Sequence, residues 1–296
     1  MTEPATGTLR HRVPVFTKEE VFFMKLEKVW TLCYSATGNT ERTVDIIGGE
    51  LAAKLGLPLE RIGFTKPLER EKEYTFTDRD IVVVGTPTYA GKMPNKLLPD
   101  FQTRLHGNGA LAVAAVTFGN RNYDNSLAEL CAVLEADGFR TVAAGAFVGR
   151  HAFTDELAYG RPGWRDQFEM KEFAKRVADK VNNLTDIPAP ARVPGDPAAP
   201  YYVPKGTDGQ PTKFLKAKPK TKAARCNGCG ACVRFCPMGA IDPQDPAQVP
   251  GTCIKCQACV RKCTKQAKYF DDEAFLSHVK MLEQTFSAPK ENEVFL

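Results

Sequence analysis

Across residues 26–183, short solid apolar runs alternate with longer stretches whose apolar residues recur every three or four positions. Residues 29–34, 59–64, 81–85, 110–118 and 141–148 read as strands. Residues 41–55, 94–105, 125–137 (closed by Gly138) and 166–181 read as helices. Strands apolar on both sides, separated by crossover helices, mean a parallel sheet covered on two faces. The pattern therefore predicts an α/β fold, a doubly wound five-stranded parallel sheet that binds ligands at the carboxyl ends of its strands.

The periodicity then breaks. Eight of the 21 prolines fall between Pro188 and Pro219, which sets 184–222 apart as a linker. Such a segment acts as a semi-rigid spacer, or it lies along the first domain anchored by Tyr201, Tyr202 and Phe214. Its basic end (Lys213, Lys216, Lys218, Lys220, Lys222, Arg225) is either a solvated face or a docking surface. At the chain start, residues 1–25 form an extension. There Thr17-Lys18-Glu19-Glu20 resembles a capping box opening a short apolar turn over 21–24 that packs on the sheet edge. Residues 271–296 predict a C-terminal helix with Phe275, Leu276, Val279 and Leu282 on one face.

Between linker and C-terminal helix, residues 223–270 carry eight of the ten cysteines in two parallel runs. The first is Cys226-x2-Cys229-x2-Cys232-x3-Cys236-Pro237 and the second Cys253-x2-Cys256-x2-Cys259-x3-Cys263. This is the ligand spacing of a two-cluster bacterial ferredoxin, a small α+β unit. Three close thiolates wrap three corners of one [4Fe–4S] cube, and the fourth is better placed to reach the cube of the other run. The expected sets are Cys226, Cys229, Cys232 with Cys263, and Cys253, Cys256, Cys259 with Cys236. Zinc sites pair two close ligands with two distant ones, and disulfides suit a secreted domain, which the absence of a signal peptide after Met1 argues against. Thr264 stands where the pattern has proline. It donates no metal bond, so ligation should survive while geometry or potential shifts.

Composition fits this reading. At 296 residues and 43% apolar content, the chain holds two or three ordinary compact units, and no stretch approaches the roughly 18 apolar residues of a membrane span. The net charge of +5 would suggest a nucleic-acid partner, but each cube with its thiolates carries about −2, and a bound phosphate group would remove about two more. The holoprotein then sits near neutrality, with no nucleic-acid footprint and a cytoplasmic expectation.

The first strand ends at Ser35-Ala36-Thr37-Gly38-Asn39-Thr40, which leads straight into a helix. Three hydroxyls, a glycine for tight curvature and the free N–H groups of a helix start make a phosphate site. A nucleotide-triphosphate loop would need G-x4-G-K-[ST], which is absent, and a plain Ser/Thr cap explains only one or two of the hydroxyls.

This S-x-T-G-N-T loop resembles that of the flavodoxins, where it holds the FMN phosphate. Gly85-Thr86-Pro87-Thr88-Tyr89-Ala90-Gly91 and Gly119-Asn120-Arg121-Asn122-Tyr123-Asp124-Asn125, the latter preceded by Phe118, are similar to the two loops flanking its isoalloxazine ring. Over about residues 26–270 the chain resembles a family of anaerobe-associated fusions of a flavodoxin-like domain with a two-cluster ferredoxin. The resemblance implies FMN, with no assigned substrate. Physically, Tyr89 stacks on or edges the ring and Asn120 bonds its polar rim. Tyr123 either forms a second aromatic wall or sits in the core beneath the loop. Arg121 either favours the reduced anionic flavin by lying near N1, or pairs with Asp124.

Other candidates are weaker. Cys33 and Cys131 read as buried packing residues, and His151 as a proton donor at the flavin edge or a loop histidine with no special role. Gly107-Asn108-Gly109 is no dinucleotide fingerprint, and no nicotinamide site is seen, so electrons are expected from a protein donor. The functional expectation is an electron-transfer iron–sulfur flavoprotein relaying low-potential electrons between two [4Fe–4S] clusters and FMN, between a protein donor and acceptor. Two alternatives stay open: an FMN-dependent reductase of a small organic or corrinoid acceptor, and a redox sensor. No catalytic residue is assigned.

Overall fold

The computed structural model of the protein describes residues 25–296; the expected capping box at Thr17-Lys18-Glu19-Glu20 and the apolar turn after it lie outside the described residues. Five strands run parallel: β1 (Lys28–Cys33), β2 (Leu59–Gly63), β3 (Asp80–Pro87), β4 (Leu111–Phe118) and β5 (Arg140–Val148), in spatial order β2-β1-β3-β4-β5. That order is flavodoxin-like and places its switch point between β1 and β3. The solid apolar run of β4 follows from burial of every one of its residues on both faces.

Helices α1 (Asn39–Leu55), α2 (Leu98–Arg104), α3 (Ser126–Ala136) and α4 (Trp164–Asn182) cover the sheet. On one face Val44, Ile47 and Leu51 of α1 and Phe173 and Val177 of α4 pack over β1, β3 and β4. On the other, Phe101 of α2 meets Leu127, Leu130 and Leu134 of α3. The α2 helix begins later than the sequence suggests. Pro94 opens a turn, its carbonyl accepting from the Leu98 N–H at 3.0 Å, and the helix starts only at Leu98.

The sheet has a sixth strand that the pattern does not announce. After α5 (Ala231–Phe235) and α6 (Ala258–Arg261) in the cysteine-rich region comes α7 (Glu273–Thr285), capped by Asp272, whose carboxylate accepts from the Phe275 N–H at 2.9 Å. The chain then returns as β6 (Glu293–Phe295), antiparallel to β5 with Val294 opposite Gly145. It covers the edge that β5 would otherwise expose. Asn292 pins this return, accepting from the Val148 N–H at 2.8 Å and donating to Asp166 and Glu169. The buried face of α7 is Phe275, His278, Val279, Met281 and Leu282, whereas Leu276, expected on that face, is exposed.

The Pro-rich segment lies along the first domain. Lys92 Nζ donates to the carbonyls of Pro197 (2.7 Å) and Ala199 (2.9 Å), and the Tyr201 hydroxyl donates to that of Met93 (2.9 Å). The Tyr202 N–H reaches the Ala90 carbonyl at 2.8 Å, and Phe214 stacks on His278 with centroids 5.4 Å apart. Lys92 itself is buried against Glu129 at 3.0 Å. These aromatic anchors and this ion pair make the segment a strap, not a free spacer.

Candidate functional site

The two cysteine runs fold as near copies. Gly228 and Gly230 in the first, and Lys255 and Gln257 at the same offsets in the second, all hold left-handed backbone. Each run closes into a short helix, α5 or α6. The turn after the fourth cysteine also repeats, with Gly239 and Gln266 left-handed. The Ala240 N–H donates to Cys236 Sγ and the Ala267 N–H to Cys263 Sγ, both at 3.3 Å. The turn that follows Cys236-Pro237 thus recurs at Cys263-Thr264, so the missing proline leaves the ligand loop intact. Such N–H···S bonds are one means by which a protein tunes cluster potential.

Cys236, Cys253, Cys256 and Cys259 line one small cavity of about 20 Å³, walled by Met238, Ile241, Ile254 and Phe270. The fourth cysteine of the first run thus joins the three close cysteines of the second. Among the described residues no three His, Cys, Asp or Glu side chains close on the point a single ion would occupy. Burial pushes the Cys256 thiol up to about 12, and the charges of Cys236 and Cys253 push the same way against the N–H of Ala258. Iron would supply the positive charge that makes these thiolates stable. Cys263 differs. Burial raises it, but the N–H groups of Ala267, Lys268, Lys265 and Gln266 outweigh that and hold it below the ordinary thiol range.

The two groups of cysteines are placed unequally. Cys226 and Cys229 are exposed, whereas Cys259 is buried and Cys256 is packed against the apolar core of the first domain. Ala258, 0% exposed, belongs to that core, with Ile254 and Met238 beside it. Arg261 bridges the same boundary, donating from Nε to the Ala152 carbonyl (2.9 Å) and from Nη2 to that of His151 (3.0 Å). The loop of the second run therefore docks at the carboxyl ends of the strands.

At that edge, Gly38 caps α1 at φ 101°, with open space where a Cβ would stand. Among the described residues the N–H groups of 36–40 have no acceptor, while the Ser35 hydroxyl accepts from the Glu41 N–H at 3.0 Å and keeps its own proton to donate. Asn39 Nδ2 ties the loop to the Arg150 carbonyl at 2.8 Å. Five unpaired N–H donors at a helix start, with the Thr37 hydroxyl in the same loop, fit a phosphate group. Thr40 is an exception within the motif: its hydroxyl is buried and shared with Thr117 at 2.7 Å.

The loop after β3 carries Thr86, Pro87, Thr88, Tyr89, Ala90 and Gly91. Thr86 is wholly buried, and Thr88 shares its hydroxyl with Ser126 at 2.6 Å. The Tyr89 hydroxyl meets that of Tyr34 at 3.4 Å. Burial and then the charge of Cys256 raise Tyr89 well above the ordinary phenol range. Tyr89 therefore lies between the docked second-run loop and the strand ends. Gly91 (φ +79°) is required where it stands, since a Cβ there would meet Asp124 Oδ2 at 2.2 Å.

The loop after β4 departs from its expected role. Asn120 is tied to the chain after α7: Nδ2 donates to the carbonyls of Phe286 (2.6 Å) and Ala288 (3.0 Å), and Oδ1 accepts from the Lys290 N–H (3.1 Å). Both ends of its amide are consumed by the chain leaving α7. Arg121 pairs with Asp124 and lies 4.1 Å over the Tyr202 ring, so of its two readings the ion pair is the one formed. Tyr123 is core, tilted against buried Phe118 with ring centroids 5.5 Å apart and its hydroxyl donating to Glu293 (2.6 Å). Gly119 passes tightly against His151. Burial pulls the His151 imidazole down to about 4, with the charges of His278, Arg261 and Arg121 acting the same way. Its Nδ1 accepts from the Phe153 N–H at 3.1 Å, which leaves the proton on Nε2. Cys33 and Cys131 are both buried, as packing residues should be.

Residues 220–242 match a family model described as a 4Fe-4S binding domain, and residues 250–266 match a second of the same description. No curated protein matches the chain. Among solved structures, a flavodoxin from the domain Archaea is similar at 17% identity over 53% of this chain and 99% of its own, with TM-score 0.38. Oxidised Flavodoxin 2 from Bacillus cereus is similar at 16% identity over 52% and 99%, with TM-score 0.36. Rubredoxin oxygen:oxidoreductase from the anaerobe Desulfovibrio gigas is similar at 17% identity over 53% of this chain and 37% of its own, with TM-score 0.35. No helix among the described residues is long and apolar enough to cross a membrane. By its family models and its strand order, the chain joins a [4Fe–4S] binding region to a flavodoxin-like domain, the parts of an electron-transfer protein.

Proposed function

We propose that this chain is a docked electron relay, with FMN at the strand ends, an inner cluster beside it and an outer cluster facing solvent. The observation that carries the reading is the asymmetry of the ligand sets: Cys226 and Cys229 are exposed, while Cys256 packs on the domain core beside Tyr89. When bound, the cubes supply one-electron carriers and FMN a centre that takes electrons singly or in pairs. The chain's own residues do the rest. Ser35, Thr37 and the N–H groups of 36–40 hold the phosphate. The β3 loop supports the ring, and the apolar wall around Cys253, Cys256 and Cys259 keeps water from the inner cube. Arg261 and Ala258 fix the separation between inner cube and strand ends, so that transfer does not wait for domain encounter.

Ligand replacement tests this wiring. Cys236→Ser should leave about four irons per chain, retain the outer cluster and halt electron passage to the flavin. Cys263→Ser should also leave about four irons but spare the inner cluster. Iron content, low-temperature spectra of each cluster and flavin absorbance read the three outcomes. Loss of only the first-run cluster in Cys236→Ser would refute the crossed ligation.

A further inference from the structure

The exposed end of the chain of cofactors carries a second pattern that ligation does not need. Arg225 and Lys265 are exposed and flank one shallow depression together with Cys226, a ligand of the outer cluster. Arg234 donates to the Cys229 carbonyl at 2.9 Å, which holds a further guanidinium next to another outer ligand. Phe235 is 37% exposed, and Lys262 Nζ lies 4.5 Å from its ring centroid. Arg225, Arg234, Lys262 and Lys265 enter no ion pair among the described residues. The acids of residues 223–270, Asp242 and Asp245, accept N–H groups of their own turn at Gln244 and Ala247.

We propose that this basic face, with exposed Phe235 as an apolar contact beside Lys262, is the docking site of a small acidic electron-carrying protein. The proposal rests on the relay reading and names the partner that reading leaves open. A solvent-facing one-electron centre ringed by unpaired cations attracts an anionic partner and orients it with its own redox centre toward Cys226 and Cys229. One electron crosses per encounter, the donor losing it and the acceptor gaining it, with no bond made or broken. Charge compensation of the cubes alone would be served as well by cations turned inward, as Lys268 is, buried with Nζ on the Pro246 carbonyl. Arg225 and Lys265 point instead to solvent.

The test uses the full holoprotein, with an acidic two-cluster ferredoxin as probe and a basic cytochrome c as control, in titration calorimetry. The acidic probe should bind, and its dissociation constant should rise at least about tenfold between about 20 and about 300 mM salt. Arg225→Glu with Lys265→Glu should weaken binding at low salt by about tenfold or more, with unchanged iron content, while Arg225→Lys retains it. Equal affinity for the two probes, or binding untouched by charge reversal, would overturn the proposal. Photoreduction of the same variants keeps the two readings apart. A flavin that still bleaches while probe binding is insensitive to charge refutes the docking site alone. A flavin that never bleaches in the unaltered holoprotein refutes the relay alone.

Discussion

Arg70 Nη2 donates to the Pro237 carbonyl at 2.7 Å, joining a buried guanidinium of the flavodoxin-like domain to the residue that follows Cys236. The same side chain bonds Asp100 at 2.7 Å and the Thr65 carbonyl. Thr65 in turn accepts the Ser35 N–H at the head of the phosphate loop, at 2.9 Å. One arginine therefore links the turn after Cys236 to the head of the Ser35–Thr40 loop.

Arg70→Ala should act at both ends of this link. Losing hydrogen bonds from a buried charge costs about 1–3 kcal/mol and leaves the Pro237 carbonyl without its donor. A fall in melting temperature of roughly 3–8 °C is expected, together with broadened spectra of the inner cluster and unchanged spectra of the outer one. Thermal melts and cluster spectroscopy check this. An unperturbed inner cluster would show that the link is passive.

Thr37→Val keeps the shape of the phosphate loop and removes one donor. A hydrogen bond to a charged acceptor contributes about 1.5–3 kcal/mol, so FMN should bind about ten- to a hundredfold more weakly. Riboflavin, which lacks the phosphate, should bind as before. Fluorescence titration of both ligands measures the difference, and equal losses would make Thr37 structural.

Acid stability should report His151. Its imidazole titrates at about 4 in the folded chain against an ordinary 6.5, so the unfolded chain binds the proton first as pH falls. Its contribution is intact above 6.5 and is lost progressively down to about 4. The loss amounts to as much as about 3 kcal/mol. His151→Gln should flatten the decline in melting temperature across that window. An unchanged slope would assign the decline to other groups, His278 first, since burial lowers that imidazole too.

What was legible in the sequence was local. The cysteine spacing, the Ser35–Thr40 loop and the five parallel strands each follow from short-range pattern, and each element lies within a few residues of its expected place. What escaped is long-range. β6 is three residues long, with Glu293 at its start, and carries no periodicity; only its register on β5 makes it a strand. Asn120 has the right chemistry for a flavin rim, and nothing nearby in the chain says that residues 286–290 will consume its amide. Prolines describe a stiff chain but not where it lies, so the strap formed through Lys92, Tyr201 and Tyr202 was one of two open paths. The Arg70–Pro237 bond spans 167 positions and has no signature in either segment.

Transfer between clusters and flavin within a single docked molecule is the claim on which the rest depends. Stopped-flow reduction of the holoprotein, followed by flavin absorbance at about 450 nm, measures it directly. The same measurement on a chain cut at exposed Gly209 removes the covalent tether but leaves β6 on β5 and Arg261 on Ala152. The flavin should bleach after cluster reduction at a rate independent of protein concentration, before and after the cut. Flavin that stays oxidised while the clusters are reduced, or a bleach whose rate rises in proportion to the concentration of intact chain, would contradict it.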